Sequence, residues 1–309
     1  MLNRKTLILA AIEATPGVDQ VPVGANAILA TEPNVVPLAG QTVSRNNVRP
    51  TLGGSQHIHV GSHVQVTFKV ELAGAGGAVD DAPAWAALMH GCGMPGAPSA
   101  GVSYDFHPDS DSTETLTIYY FVDGQRHILT YARGTFSVEL GKGQIPYLNF
   151  TFTGIWNAPS SVANPTPDYA GYVPPIPVTN ANTPTVSLHG YDAVLESLGI
   201  NYGNQVVHDD RPNEESVKIT GRETDGNIVF VAPVLSVKNF FVEAQANTLG
   251  AMSIVHGIAA GNIVTLSSSR AQILSPNYGD ANGETTLQAG MSFIPTDTTG
   301  DDELTISTS

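Results

Sequence analysis

The sequence predicts a mainly β protein built from two tandem β-sandwich or barrel domains, each with a short flanking helix and a long hairpin loop. Three observations carry this. His57–Leu72 alternates without a break from Val64, with Val64, Val66, Phe68, Val70 and Leu72 on one face and Gln65, Thr67, Lys69 and Glu71 on the other; a period of two marks a strand packed on one side. Other short alternating stretches, separated by turn signals, fill most of the first 158 residues, as in an antiparallel sandwich or barrel. After a proline-rich stretch the pattern starts again.

Residues 1–34 carry Pro16-Gly17, Pro22, Gly24 and Pro33, punctuation too dense for a helix or a long strand. They read as an extended arm lying on its own domain or on a neighbour. Arg4-Lys5 ahead of the apolar Thr6–Ile12 imitates a short secretory signal, but the run is at the lower length limit and Glu13 follows at once. An arm or first strand is the preferred reading, with a secreted adhesin as an outlying one. Val35–Val43 and Arg45–Pro50 lead to Leu52-Gly53-Gly54, a flexible tip, and the His57–Leu72 strand returns from it to complete a long hairpin.

Gly74–Gly77 and Asp80-Asp81-Ala82-Pro83 precede Ala84–His90, where Trp85, Leu88 and Met89 make one apolar face of a short helix stopped by Gly91 and Gly93. Leu116, Ile118, Tyr120 and Val122 alternate toward an Asp123-Gly124 turn. His127–Tyr131, then Phe136, Val138 and Leu140, then Leu148, Phe150 and Phe152 continue the strands. Seven prolines from Pro159 to Pro184 predict an extended linker, stiff in parts. The domains are thus 1–158, with the N-terminal arm, and 185–309, joined by 159–184.

In the second domain Asn201–Pro212 answers Ser44–Pro50, and Ser216–Thr220 answers Ser55–His59. Gly261–Thr265 lines up with Gln125–Leu129, and Leu287–Phe293 with Leu148–Thr153. Asn239–Thr248 supplies the second helix.

Only 13% of residues are charged, against about 25% in an average soluble domain. Such a surface suits a protein largely covered by copies of itself. The net charge of −15 is uneven: eight Lys/Arg against twelve Asp/Glu in 1–158, five against sixteen in 159–309. No basic patch with interleaved aromatics exists, which argues against specific nucleic-acid binding. Cys92 is the single cysteine, so no intrachain disulfide forms and a reducing compartment fits. The longest apolar run is far short of the ~20 residues of a membrane span.

His57, His59 and His63 share the polar face of a continuous strand, where three imidazoles could hold zinc or iron. Their spacing resembles the first metal motif of cupin barrels, with His63 where an acid is expected, and makes a cupin-like metal-binding β-barrel enzyme the alternative reading. Against it, no second motif follows, and the repeat has Lys218 and Thr220 at the places of His57 and His59. Gly74–Gly77 resembles a dinucleotide turn, but Val79 takes the third glycine position and Asp80-Asp81 would repel a pyrophosphate. Asp109, Asp111 and Glu114, and separately Asp209, Asp210, Glu214 and Glu215, lack the spacing of a calcium loop. Nothing in the sequence activates Cys92.

Ala10–Asp19 with Ala25–Ile28, Leu195–Asn204, Met291–Pro295 and Gly300–Ile306 resemble the tail tube (major tail) proteins of long-tailed, siphovirus-type bacteriophages, in a tandem-domain variety. That resemblance implies a non-enzymatic β-sandwich protein without cofactors, polymerised as stacked rings around a channel for DNA. A tandem pair implies trimeric rings with pseudo-sixfold symmetry. It further implies a virion protein, assembled in the host cytoplasm with tape-measure, tail terminator and tail-tip proteins and no membrane. Candidate contacts between subunits or rings are Arg45, Arg49, Leu52, Gly53, Gly54, His57, His59 and His63 in the first hairpin, and Asp209, Asp210 and Arg211 in the second.

Overall fold

Strands dominate the computed structural model, which describes residues 5–309. The first half contains β1 (Thr6–Ile12), β2 (Ala27–Ile28), β3 (Ala30–Ser44), β4 (His57–Glu71), α1 (Ala86–Gly91), β5 (Gly96–Ser99), β6 (Ser103–Phe106), β7 (Leu116–Val122), β8 (Gln125–Gly141), β9 (Tyr147–Trp156) and β10 (Ser160–Ser161). The second contains β11 (Thr185–Leu188), β12 (Tyr191–Asp192), β13 (Leu195–Asn201), β14 (Asn204–Arg211), β15 (Glu214–Arg222), β16 (Asp225–Val231), α2 (Phe240–Gln245), β17 (Leu249–His256), β18 (Val264–Ala281), β19 (Glu284–Phe293) and β20 (Thr305–Thr308).

Every pairing is antiparallel, and the halves share one strand order. The first runs β3-β4-β9-β8-β7-β1; the second runs β13-β16-β19-β18-β17-β11. β8 pairs with β7 through Ala132, and with β9 mainly from Arg133. A bulge between Thr130 and Arg133, with Tyr131 at φ +54°, turns it from one layer of its sandwich to the other. β18 makes the same switch between β17 and β19.

The alternation read from Val64 buries as expected: Val64, Val66, Phe68 and Val70 are 0–2% exposed. Phe68, Phe150 and Phe152 pack with ring centroids 5.8–6.0 Å apart. Phe136 stacks on Tyr202 of the second half at 4.7 Å, so one core runs through both halves. The halves also share a sheet: β13 adds to the free side of β8, with Ser197 opposite Gly141 and Asn201 opposite Ser137. At the far side β20 lies between β18 and β6.

Three parts of the chain sharpen the expectations from sequence. Of the arm and the first strand, Thr6–Ile12 is the strand, paired along its length with β7, and the part before Lys5 lies outside the described residues. Its turn is held by Glu13, a buried carboxylate accepting hydrogen bonds from Thr115, Thr117 and the Gly17 and Tyr131 amides. The segment 159–184 is strapped to the first half, where Val178 is buried and its backbone pairs with Gly143 and Gln144. Matched by ladder partners, Ala132 takes the place of Ala271, a three-residue slip from the alignment of Ile128 with Val264. The Gly74–Gly77 loop docks on the Gly261–Asn262 turn, with Gly74 N–H donating to Asn262 Oδ1 and Gly76 N–H to Gly261 O.

Candidate assembly surface

β3 and β4 stay paired out to Ser44 and His57, after which Arg45–Gln56 forms an irregular tip. Arg45 N–H donates to Gln56 O, and Arg49 Nη2 donates to Ser55 Oγ at 3.1 Å. Asn47 N–H also donates to Arg45 O, and Ser44 Oγ to Asn46 Oδ1. Val48 and Leu52 are fully exposed, and neither Gly53 nor Gly54 has an atom within 4 Å of where a Cβ would sit.

The expected shared face of His57, His59 and His63 is broken. One extra residue enters β4 between the Gln41–Val60 and Ala39–His63 pairs, at Gly61 with φ +63°. A bulge of one residue reverses alternation, so His63 stands on the face opposite His57 and His59. Those two are exposed near the tip, while the His63 ring lies 5.1 Å from that of His208. Among the described residues no three His, Cys, Asp or Glu side chains gather as a metal set, and the cupin alternative is not supported.

The second hairpin, β14–β15, closes on Pro212-Asn213, with Asn213 at φ +73°, a conformation asparagine tolerates. Asp209 pairs with Arg211 at 2.7 Å and with Lys218 at 3.3 Å, and Lys218 reaches Glu214 at 2.6 Å. Their hydrogen bond raises the Lys218 ammonium and lowers the Glu214 carboxyl. Asp210 stands opposite Glu215 in the ladder, a like-charge pair, and Glu215 is met by His208 Nε2 at 3.1 Å.

This hairpin lies over β4, β8 and β9 of the first half. At its start, the Asn204 side-chain amide donates to Cys92 O at 2.6 Å and Gly134 O at 2.9 Å. At its end, Arg222 donates to Glu303 at 2.6 Å and Asp301 at 2.7 Å, and Ser110 Oγ donates to Asp301 at 2.6 Å. Burial pushes the Asp301 carboxyl up, but hydrogen bonds from Ser110 and Arg222 outweigh it and hold the group below its usual range. Burial pulls the Arg222 guanidinium down, and Tyr202, Asp301 and Glu303 more than offset that. Burial pushes the Cys92 thiol well up, as suits a packed residue beneath the hairpin rather than a nucleophile.

Sequence reasoning assigned none of Asn204, Arg222 and Asp301 a role. Their partners lie far away in the chain, as Asn204 to Cys92 shows, so no local spacing marks them.

Among the edges without a second partner strand in the described residues are two long ones: β3, bonded only to β4, and the Ile273–Ala281 part of β18, bonded only to β19. Beside the first, Leu38, Val43, Ile58 and Val60 are 39–53% exposed; beside the second, Leu274 and Tyr278 are 40% and 51% exposed. Open edges of this kind template pairing with another chain. A repeated β-sandwich with a charge-poor surface, bare edges and an uncovered apolar hairpin is the make-up of a structural assembly subunit. The chain belongs to the phage tail tube protein family, whose model matches residues 3–302. No curated protein matches it.

Proposed function

We propose that the chain is the repeating subunit of a siphovirus-type tail tube, three copies to a ring, with residues 1–158 and 185–309 as two similar domains joined by 159–184. One observation carries this reading: both halves have the same strand order and already join edge to edge through β8 and β13. A head-to-tail contact that repeats closes as a ring if its rotation closes, and three copies of a two-domain chain give pseudo-sixfold symmetry. Rings stack into a tube, and the hairpin tip Arg45–Gln56, with the Asp209–Arg211 turn, provides contacts between subunits and rings. The excess of carboxylates in a chain of net charge −15 repels phosphate, so DNA passes without adhering. The subunit catalyses nothing. It assembles in the host cytoplasm with tape-measure, terminator and tail-tip proteins and ends in the virion.

Negative-stain microscopy of concentrated protein, with sedimentation of the smallest closed species, tests this. Rings of three copies and stacked tubes are expected. A strict monomer at every concentration, even with terminator and tip proteins added, overturns the reading.

A further inference from the structure

We infer that a calcium ion binds in the seam beneath the β14–β15 hairpin, held between the halves by Asn204 Oδ1 and the Asp109 carboxylate, with water completing its shell.

The space lies where residues 92–93 of the first half meet β15. A cavity of about 220 Å³ is bounded there by Gly93, Asp109 and Ser112 from one half and by Asn204, Ile219 and Arg222 from the other. A single water takes up only about 30 Å³, so an ion with part of its hydration shell fits.

Asn204 points to the ligand. The residue is 9% exposed. Both hydrogens of its side-chain amide are used, on Cys92 O and Gly134 O, and that settles which end of the amide is oxygen. Its Oδ1 is left buried without a donor. A buried acceptor with no partner is costly, and a cation in the cavity satisfies it.

Asp109 supplies the charge. Its Oδ1 accepts from the Asp111 amide at 2.9 Å, and no ion pair engages it among the described residues. Arg222 borders the same space, but its guanidinium is held by Glu303 at 2.6 Å and Asp301 at 2.7 Å. Arg133 stands behind the wall and donates to Ser112 O at 3.2 Å. Three carboxylates, Asp109, Asp301 and Glu303, thus meet two guanidiniums, and the neighbourhood stays acidic.

The donor set selects the ion. Asn204 Oδ1, the Asp109 carboxylate and the Ser112 hydroxyl are hard oxygens, which suit calcium and not zinc. Cys92 also borders the cavity, but burial pushes its thiol well up, so it offers no thiolate to a softer metal. One carboxylate among neutral oxygens makes a weak site, with a dissociation constant on the order of 10⁻⁴–10⁻³ M, the range of extracellular calcium modules. Such a site stays empty at cytosolic calcium and fills outside a cell. The joint between the halves therefore tightens once the particle leaves its host, a last step that rests on the reading of the chain as a virion subunit.

Calcium titration of the purified protomer tests the site without any tube. Calcium at about ten times the dissociation constant is expected to raise the folding equilibrium constant about tenfold in urea denaturation, with magnesium at equal concentration giving less. Asp109→Asn is expected to weaken calcium at least about tenfold, and Asp280→Asn, on the distant β18–β19 turn, to leave it unchanged. Terbium stands in for calcium as a direct probe, excited through Tyr202, whose hydroxyl donates to Gly93 O at 3.1 Å; one ion per chain, displaced by calcium, is expected. No calcium-dependent shift, an equal shift with magnesium, or an equal shift in Asp109→Asn overturns the inference, the last two showing only screening of an acidic chain. Where Asp109→Asn fails to fold, the wild-type terbium titration decides, and emission that calcium does not displace refutes the site. Each of these failures leaves the ring subunit standing, whereas wild-type protein that makes no rings sinks that reading and leaves the calcium site intact.

Discussion

The two long hairpins hold matching places in their halves and differ in what lies beneath them. β14–β15 rests on the first half, with Val217 fully buried, Asn204 bonded to two backbone carbonyls and Arg222 held by two carboxylates. The β3–β4 arm has the same strand pairing but leaves Val43, Val48 and Leu52 in solvent. A two-stranded ribbon alone is marginal in water, so each arm needs a surface. One finds it in its own chain, and the other looks outward. Burial here is decided by the neighbour and not by the hairpin's own pattern.

The sharpest way to break that comparison is to shorten the bare arm. Deleting Leu52–Gln56 removes a tip that makes few bonds, so the protomer's urea midpoint is expected to hold, with a change within about 0.5 kcal/mol. Tube formation, scored by microscopy, is expected to be lost. Normal tubes from the deletion would show that the tip is not an assembly contact. The next largest effect belongs to the covered arm. Arg222→Leu strands Glu303, whose side chain is 7% exposed, and is expected to cost about 3 kcal/mol. Arg49→Leu on the bare arm should stay within about 0.5 kcal/mol. Equal costs in urea denaturation would mean that the two arms are not differently supported.

Much of this fold is legible in the sequence because its signals are local. Val64–Leu72 alternates, Asp123-Gly124 turns and Asn239 caps a short helix by accepting from Val242 N–H at 3.2 Å. Prolines hid the rest. β3 runs through Pro33 and Pro37, and Pro276 interrupts β18 beside a bulge between Leu274 and Asn277, so neither strand reads at full length. Gly61 conceals the break in the histidine face for a related reason: an inserted residue leaves spacing in the sequence intact while reversing it in space. The site itself was half legible. The hairpins stand out as punctuation, but the edges and the Asn204 and Arg222 anchors depend on partners far away in the chain.

Asn204→Ala probes the covered arm more gently. Two carbonyls beneath the hairpin lose their donor, and a cost of about 2 kcal/mol is expected. Thr42→Ala, on exposed backbone of the bare arm, should change stability by less than about 0.5 kcal/mol. Hydrogen exchange at 204–222 sharpens the contrast, since loss of the anchor loosens that hairpin and leaves 41–60 as it was.

The smallest effect separates the arms by chemistry. Residues 33–70 contain no Asp or Glu, so no carboxylate of the bare arm itself can titrate in acid. The covered arm is tied down through Asp301, whose carboxyl is held below the ordinary carboxylate range: burial pushes it up, but hydrogen bonds from Ser110 and Arg222 outweigh that. Between the folded and the higher unfolded titration, the unfolded chain binds more protons, so stability rises with pH across that window. Asp301 therefore contributes fully above about pH 4, and its contribution is lost as pH falls through the folded value. Asp301→Asn keeps an oxygen for Arg222 but removes the titration. Urea midpoints at pH 5 and pH 3 are expected to fall less in the variant than in the wild type. Equal falls would place the acid sensitivity elsewhere and cut the link between this carboxylate and the covered arm.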